Sequence, residues 1–402
     1  MRMIRGGGLS RVQGLRAAGI ACGIKTPGKR DLALVIADRP ASVAATFTTN
    51  LVQAAPVRVS KRHLRGGRFS AIVLNSGNAN ACTGPQGRKD AEAMARTTAR
   101  LLDCPVEEVF VASTGVIGRP MPMAKIQAGI AEAVRHLSPD GGGDAAQAIM
   151  TTDTVRKEVA VSFVVDGQRV TVAGMAKGSG MIAPNMATML AVVATDAGLT
   201  SAQLQRALGQ AVAASFNCIT VDGDTSTNDM VLGFATGAAG SPRLRPGTAP
   251  FRAFQTALEA VCLKLAKAIA RDGEGAAKLA GIVVRGGRTG AEARRGAEAV
   301  ATSPLVKTTL AGEDINWGRI LAALGRSGAR FDPERVDVAV DGVAVVRRGR
   351  GLGSRAEVAA NRRLQRAEYT ISIDLHAGAG LARLWTTDLT EAYVRINAGY
   401  RS

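Results

Sequence analysis

The sequence predicts an α+β protein of more than one domain, and three observations carry that reading. Strand-like and helix-like stretches are mixed along the chain without the strict β–α–β alternation of a parallel sheet. With 402 residues, 46% of them hydrophobic, the chain can bury a large core divided between two or three domains. Several polar loops begin or end apolar runs, the arrangement in which a rigid scaffold carries a site. Aromatics make up only 3%, so the core has to be built mainly from Ala, Val, Leu and Ile.

Taken in order, residues 19–25 are expected as a strand leading to the turn Thr26-Pro-Gly28. Strands over 32–37 and 44–49 follow, the second rich in β-branched residues. A strand over 70–75 runs into a loop of small polar residues, 76–84. A helix over 89–102 places Ala91, Met94, Ala95, Thr98 and Leu101 at helical spacing. A strand over 108–113 gives way to the turn Thr114-Gly115, and a second helix covers 125–137. Gly141-Gly142-Gly143 breaks the chain before a short helix over 144–150. Asp166-Gly167 is the turn of a hairpin joining 158–165 to 168–174. Beyond the central stretch come a helix over 201–214 with Ser201 as its cap, a polar loop within 219–233, a Pro- and Gly-rich loop over 240–250, and an amphipathic helix over 251–272. Composition shifts at Arg285-Gly-Gly-Arg288, the expected boundary of a smaller C-terminal lobe of about 288–402. That lobe holds a helix over 291–302, a stretch over 309–324, strands near 336–346, 369–375 and 381–385, and a closing helix over 388–397. Asp388 and Glu391 read as the capping box of this last helix.

Whole-chain properties narrow the function. No run of eighteen apolar residues occurs, so no membrane-spanning helix is expected. The amino terminus lacks the apolar core of a secretory signal. The five cysteines are scattered, odd in number and never in a C-x-x-C pair, which suits a reducing cytoplasm and speaks against a zinc site or disulfide framework. The net charge of +18 raises nucleic acid as a partner, but the basic clusters carry no interleaved aromatics as stacking platforms, so no nucleic-acid role is expected. The segment Asp222-Gly-Asp-Thr-Ser-Thr-Asn228 imitates a calcium loop yet lacks the sixth-position glycine and twelfth-position carboxylate. Gly273-Glu-Gly-Ala-Ala-Lys278 is too short for a P-loop, and Gly178-Ser-Gly180 lacks the rest of a dinucleotide fingerprint. The three histidines, His63, His136 and His376, lie in no catalytic frame, so an enzyme built on this chain is not expected to use a histidine base.

The central stretch, Lys177-Gly-Ser-Gly-Met-Ile-Ala-Pro-Asn-Met-Ala-Thr188, followed by the apolar run to Thr195, is where these threads meet. Its first half is loop, with glycines for unusual dihedrals and Pro184 fixing φ. Its second half is a continuous apolar run, the signature of a strand buried on both faces. A hydroxyl at such a junction suits an amino-terminal nucleophile if the chain is cut just before it. On this stretch alone, a threonine that merely opens a strand is the plainer reading.

Further motifs tip the balance. Thr46-Phe-Thr-Thr-Asn50, Thr220-Val-Asp-Gly-Asp-Thr-Ser-Thr-Asn-Asp229, Arg271-Asp-Gly-Glu-Gly275, Asn316-Trp-Gly-Arg319 and Tyr393-Val-Arg-Ile-Asn397, taken with the central stretch, closely resemble the ornithine acetyltransferase family. These are the bifunctional glutamate N-acetyltransferases of arginine biosynthesis. The resemblance runs in order from about Gly14 to Ser402. It implies an α/β sandwich related to self-processing amino-terminal-nucleophile aminopeptidases, with a smaller C-terminal α/β lobe. It also implies self-cleavage between Ala187 and Thr188, giving an α chain of 1–187 and a β chain of 188–402.

The implied roles are specific. Thr188 is the nucleophile that takes acetyl from N-acetylornithine and passes it to glutamate, while Thr114 and Gly115 form the oxyanion hole. Thr151, Lys177, Thr188, Glu274, Asn397 and Ser402 contact substrate. The family usually ends in threonine, and Ser402 keeps the hydroxyl. No metal or cofactor is implied; acetyl-CoA stays open as a second donor. The two chains are expected to remain together as a cytoplasmic α2β2 heterotetramer. A self-processing amidase or aminopeptidase that hydrolyses the acyl-enzyme is the alternative kept open.

Overall fold

The computed structural model describes residues 1–183 and 189–399. They form two compact units, one from residues 1–217 and 224–269 and one from residues 218–223 and 270–399. Each combines a mixed sheet with helices, so the α+β class holds.

In the first unit the described residues form β1 (Arg2–Ile4), β2 (Leu15–Ile20), β3 (Leu32–Phe47), α1 (Ala55–His63), β4 (Arg68–Asn78), α2 (Gly84–Leu102), β5 (Val109–Val116), α3 (Met123–Arg135), α4 (Gly142–Ala148), β6 (Lys157–Val165), β7 (Gln168–Lys177), β8 (Leu190–Thr195), α5 (Ser201–Ala213), β9 (Met230–Ala235) and α6 (Ala249–Arg271). One sheet runs β1-β6-β7-β8-β9-β3-β4-β5, with β2 paired to β3. The hairpin turn predicted at Asp166-Gly167 is there, with φ of 47° and 79° at its two residues, the positive pair of a type I′ turn.

Alternation along the central strands splits the core by face. Leu32, Leu34, Ala71, Val73, Val109 and Val111 pack with Met94, Ala95, Ile126 and Ile130 of α2 and α3. The intervening Ala33, Val35, Ile72, Leu74 and Phe110 pack instead with Ala145 and Ile149 and with residues of β7, β8 and β9. All six residues of β8 are buried. It lies antiparallel to β7 and parallel to β9, as its unbroken apolar run requires.

Several expectations need correction. The strand placed at 19–25 is Leu15–Ile20, because the backbone N–H groups of residues 22–25 turn instead onto the carboxylate of Asp31. The strands placed at 32–37 and 44–49 are one, β3. Its pairing with β4 breaks between Ile36 and Ala41, where Pro40 has no N–H to donate. Thr114 and Gly115 lie in the end of β5, not in a turn beyond it. Ser201 does not cap α5; Thr200 does, in a capping box with Gln203.

The second unit contains β10 (Leu279–Gly287), α7 (Gly290–Ala301), α8 (Pro304–Ala311), α9 (Trp317–Gly325), β11 (Asp337–Val340), β12 (Val343–Arg347), β13 (Arg350–Gly351), α10 (Ser354–Leu364), β14 (Glu368–Asp374), β15 (Gly380–Thr387) and α11 (Glu391–Gly399). Its sheet runs β13-β12-β11-β14-β10-β15. Residues 285–287, in the stretch where composition shifts, close β10, which pairs with both β14 and β15. The stretch over 309–324 divides into α8 and α9. Asp388 does not cap α11: its Oδ1 accepts the N–H groups of Ala277 and Lys278, each at 3.0 Å. Among the described residues no helix is long and apolar enough to cross a membrane.

Candidate active site

In the first unit the site is built where β4 and β5 end side by side. These parallel strands pair Asn75 with Ser113, Ser76 with Thr114 and Gly77 with Gly115, and the register shifts at Gly77/Asn78. Gly115 holds φ of +127°. A Cβ there would lie 2.4 Å from the carbonyl carbon of Gly77 and 2.6 Å from the nitrogen of Asn78, so only glycine lets the two backbones approach. Side-chain amides hold this geometry. Ser113 Oγ donates to Asn75 Oδ1 at 2.6 Å, and Asn75 Nδ2 donates to the Asn78 carbonyl at 2.9 Å. Asn228 Nδ2 donates to the carbonyls of Ser113 and Ala79 at 2.8 and 2.6 Å. Every one of these groups is buried, where an unsatisfied partner is costly.

Lys177 ends β7 beside this corner. It is buried, and its Nζ donates to Thr114 Oγ1 at 3.5 Å. The next residue, Gly178, donates its N–H to Asp153 Oδ1 at 2.7 Å. Lys157 Nζ reaches the same oxygen at 2.6 Å, and the Thr151 N–H donates to Asp153 Oδ2 at 3.0 Å. Burial pushes the Asp153 carboxyl up, but Lys177, Lys157 and the Gly178 N–H outweigh it and hold its pKa at about 2. Asp153 is therefore a carboxylate near neutral pH, tying the Thr151 loop to the end of β7.

Lys25 closes the cluster. Its Nζ donates to the carbonyls of Met150 and Arg30 at 2.6 and 2.9 Å. Burial lowers its pKa to about 8; Asp31 and Asp153 oppose that shift, and Lys177 and Lys29 add to it. Two buried or half-buried ammonium groups thus act on each other in this corner, a setting suited to an anionic substrate group.

At the start of β8, the Met189 N–H donates to Asp229 Oδ1 at 2.9 Å. Asp229 is buried, and its second oxygen has no hydrogen-bond partner among the described residues. Burial drives its pKa well above the usual carboxylate range, against the opposing pull of the Met189 N–H, Lys177 and Ser226.

Two more predicted substrate residues stand together in the second unit. Asn397 Nδ2 on α11 donates to Glu274 Oε2 at 2.9 Å and to the Tyr393 carbonyl at 3.0 Å. Gly275, at φ of +68°, makes this possible, since a Cβ there would come within 2.5 Å of the Tyr393 nitrogen.

The structure thus brings Thr114, Gly115, Thr151 and Lys177 into one corner, and pairs Glu274 with Asn397. Ala187, Thr188 and Ser402 lie outside the described residues. Sequence reasoning missed Lys25, Asn75, Asp153, Asn228 and Asp229. The polar loops that carry Asp153, Asn228 and Asp229 were visible in the sequence, but their convergence depends on strand register.

Comparison with known proteins yields consistent findings. A family model described as the ArgJ family matches residues 16–402. The arginine biosynthesis bifunctional protein ArgJ of Symbiobacterium thermophilum is 52% identical over 398 residues, covering 98% of this chain and 99% of that protein. The protein of the same name from Geobacter sulfurreducens is 48% identical over 391 residues, covering 97% and 100%. A crystal structure of ornithine acetyltransferase complexed with ornithine, from Mycobacterium tuberculosis, is 46% identical, covers 46% of this chain and 97% of that one, and superposes with a TM-score of 0.43.

Proposed function

The chain belongs to the ArgJ family and is an acyltransferase of arginine biosynthesis, and we propose that it moves acetyl from N2-acetylornithine to glutamate on Thr188. The observation that carries this reading is the corner where buried Thr114 and Lys177 meet half-buried Gly115, which supplies a hydroxyl, a glycine backbone and a cation at the positions the family uses.

The proposed sequence begins with self-processing. The Thr188 hydroxyl attacks the Ala187 carbonyl and the C–N bond breaks as the Thr188 nitrogen takes the proton, which leaves an ester and a free amine; water then hydrolyses the ester to a carboxylate on Ala187 and restores the Thr188 hydroxyl. That α-amine, with a pKa near 7.7–8.0 in short peptides, then takes the hydroxyl proton while Thr188 Oγ attacks the acetyl carbonyl of acetylornithine. Collapse of the tetrahedral intermediate expels the ornithine amine, which carries the proton away. Glutamate's amine attacks the acetyl ester in turn, and the proton returns to Thr188. Each intermediate bears an oxyanion, for which Thr114 Oγ1 and the Gly115 N–H are the proposed donors.

For substrate, Lys177 is proposed to pair an α-carboxylate and Glu274 a side-chain ammonium, with Thr151, Asn397 and Ser402 completing the contacts. Residues 1–187 and 188–402 are proposed as the mature chains, with the C-terminal lobe at about 288–402 and an α2β2 assembly.

Intact mass of the purified protein tests the premise. Two chains meeting at Ala187/Thr188 are expected, and Thr188→Ala should remain one chain with no transfer. Incubation with acetylornithine and glutamate should give acetylglutamate in equal amount to ornithine. Free acetate in its place would mean a hydrolase, and a wild-type chain that stays uncut yet active would remove the Thr188 mechanism. Acetyl-CoA with glutamate, in the same assay, reads the second donor.

A further inference from the structure

We propose that Asp229 is a positioning residue for the nucleophile, holding the backbone amide that directly follows Thr188. The inference rests on the reading of Thr188 as nucleophile and adds a residue to which neither the family resemblance nor the charge pairing of substrate assigned a part.

The geometry is that of a fixed clamp. Met189 N–H donates to Asp229 Oδ1 at 2.9 Å, and this nitrogen is bonded to the carbonyl carbon of Thr188. Asp229 is itself held from both sides. Its carbonyl accepts the Thr48 N–H at 3.0 Å, and the neighbouring Met230 N–H donates to the Met189 carbonyl at 3.2 Å. Parallel pairing of Leu190 with Met230 continues that contact into β8 and β9. A rigid clamp one bond from the reacting residue is a means of fixing an attack geometry, and misplacement by an ångström can cost about 100-fold in rate.

A second feature separates this carboxyl from an ordinary structural one. Oδ2 is buried with no hydrogen-bond partner among the described residues, a setting that disfavours the ionised form. The charged group acting on it is Lys177, on β7, and that influence does not overcome burial. Neutrality has a consequence for the proposed base. A carboxylate bound to the amide of the next residue would favour the charged form of the proposed Thr188 amine and keep it protonated. A neutral acid clamps the amide and leaves the amine free to accept the hydroxyl proton.

Asparagine reproduces the neutral acid in shape and keeps the acceptor for Met189. Asp229→Asn in the full chain should therefore self-cleave completely, with kcat within about threefold of wild type and the acid limb of the kcat/KM profile unmoved. Asp229→Ala should stay largely uncut, and the fraction that is cut should show kcat lowered about 100-fold with KM within about threefold. Loss of cleavage or of activity in Asp229→Asn, or a shifted acid limb, overturns the proposal, because the group would then act as a charge. Wild-type processing and turnover in Asp229→Ala overturns it equally. Thermal melts of both variants separate misfolding from misplacement, and Asp229→Asn decides the matter if the alanine variant does not fold. Failure of the Thr188 reading would show in the wild type itself, as an uncut active chain.

Discussion

At Gly115 two separate demands fall on one residue, and a neighbouring glycine separates them. Both Gly115 and Gly118 have positive φ, +127° and +79°. A Cβ on Gly115 would strike the backbone of Gly77 and Asn78, whereas one on Gly118 meets nothing within 4 Å. Gly118→Ala should therefore cost only the strain of an L side chain at positive φ, roughly 1–2 kcal/mol, with kcat little changed. Gly115→Ala has to push β4 and β5 apart at the proposed oxyanion site. It should lower kcat by about 100- to 1000-fold, the scale of one lost oxyanion donor, and reduce stability by more than Gly118→Ala does. Parallel kinetics and urea denaturation of the two variants read both effects; equal kcat values would show that the close approach has no catalytic consequence. The polar side chains around this corner act in the same local way. Asn75, Ser113 and Asn228 leave few choices for the backbone of residues 75–79, because each amide and hydroxyl is spent on a buried neighbour.

Elements differ in how far their own residues announce them. Helices α2, α3, α5 and α6, strand β8 and the β6–β7 hairpin were legible because each carries its signal within a dozen residues, as a periodic stripe, an apolar run or an Asp-Gly turn. Strand β10 was passed over because its last residues, Arg285-Gly-Gly287, look like a linker; pairing with β14 and β15 makes them strand. Helix α10 was missed because only Ala360 and Leu364 of it are fully buried, too few to draw a stripe. At the start of α5, Thr200 and Ser201 are both cap residues by type, and the third position decides between them. Gln203 stands three after Thr200, donating its N–H to Thr200 Oγ1 at 3.2 Å and accepting the Thr200 N–H at 2.9 Å. Ser201 meanwhile donates to the Gly67 carbonyl at 2.6 Å. Thr200→Ala should cost about 1 kcal/mol of stability, Gln203→Ala a similar amount, and the double variant less than the sum, since both residues serve one box. Urea denaturation of the three variants with an unchanged m-value checks this; strict additivity would mean that the box is not a unit. For the site, Thr114, Gly115 and Lys177 were reached through family likeness. Lys25, Asn228 and Asp229 depend on which strands lie side by side, and a single sequence carries no register.

At the scale of the whole molecule, the position of the proposed cut within the first sheet governs what the enzyme becomes. A cut before Thr188 assigns β1 to β7 to one chain, and β8 and β9 to the other. The sheet order nevertheless places β8 against β7 and β9 against β3. The second chain's two strands are thus enclosed by strands of the first on both sides, with ladders from Val172↔Thr195 to Lys177↔Leu190 and from Ser42↔Ala235 to Phe47↔Met230. Every residue of β8 and β9 is buried. Separation would expose two apolar strands and unpair both edges at once, so the two chains should behave as one cooperative fold. Cleaved protein should elute as a single species on native size exclusion and remain so in 1 M salt, roughly the concentration that screens surface charge within about 3 Å. Guanidinium should release the two chains together with loss of secondary structure, in one transition seen by both size and circular dichroism. Expressed alone, the chain of 1–187 should be insoluble or unfolded and the chain of 188–402 should keep at most its C-terminal sheet, because neither holds a complete first sheet. Dissociation into folded halves at high salt would show that charge, not the shared sheet, holds the pieces together.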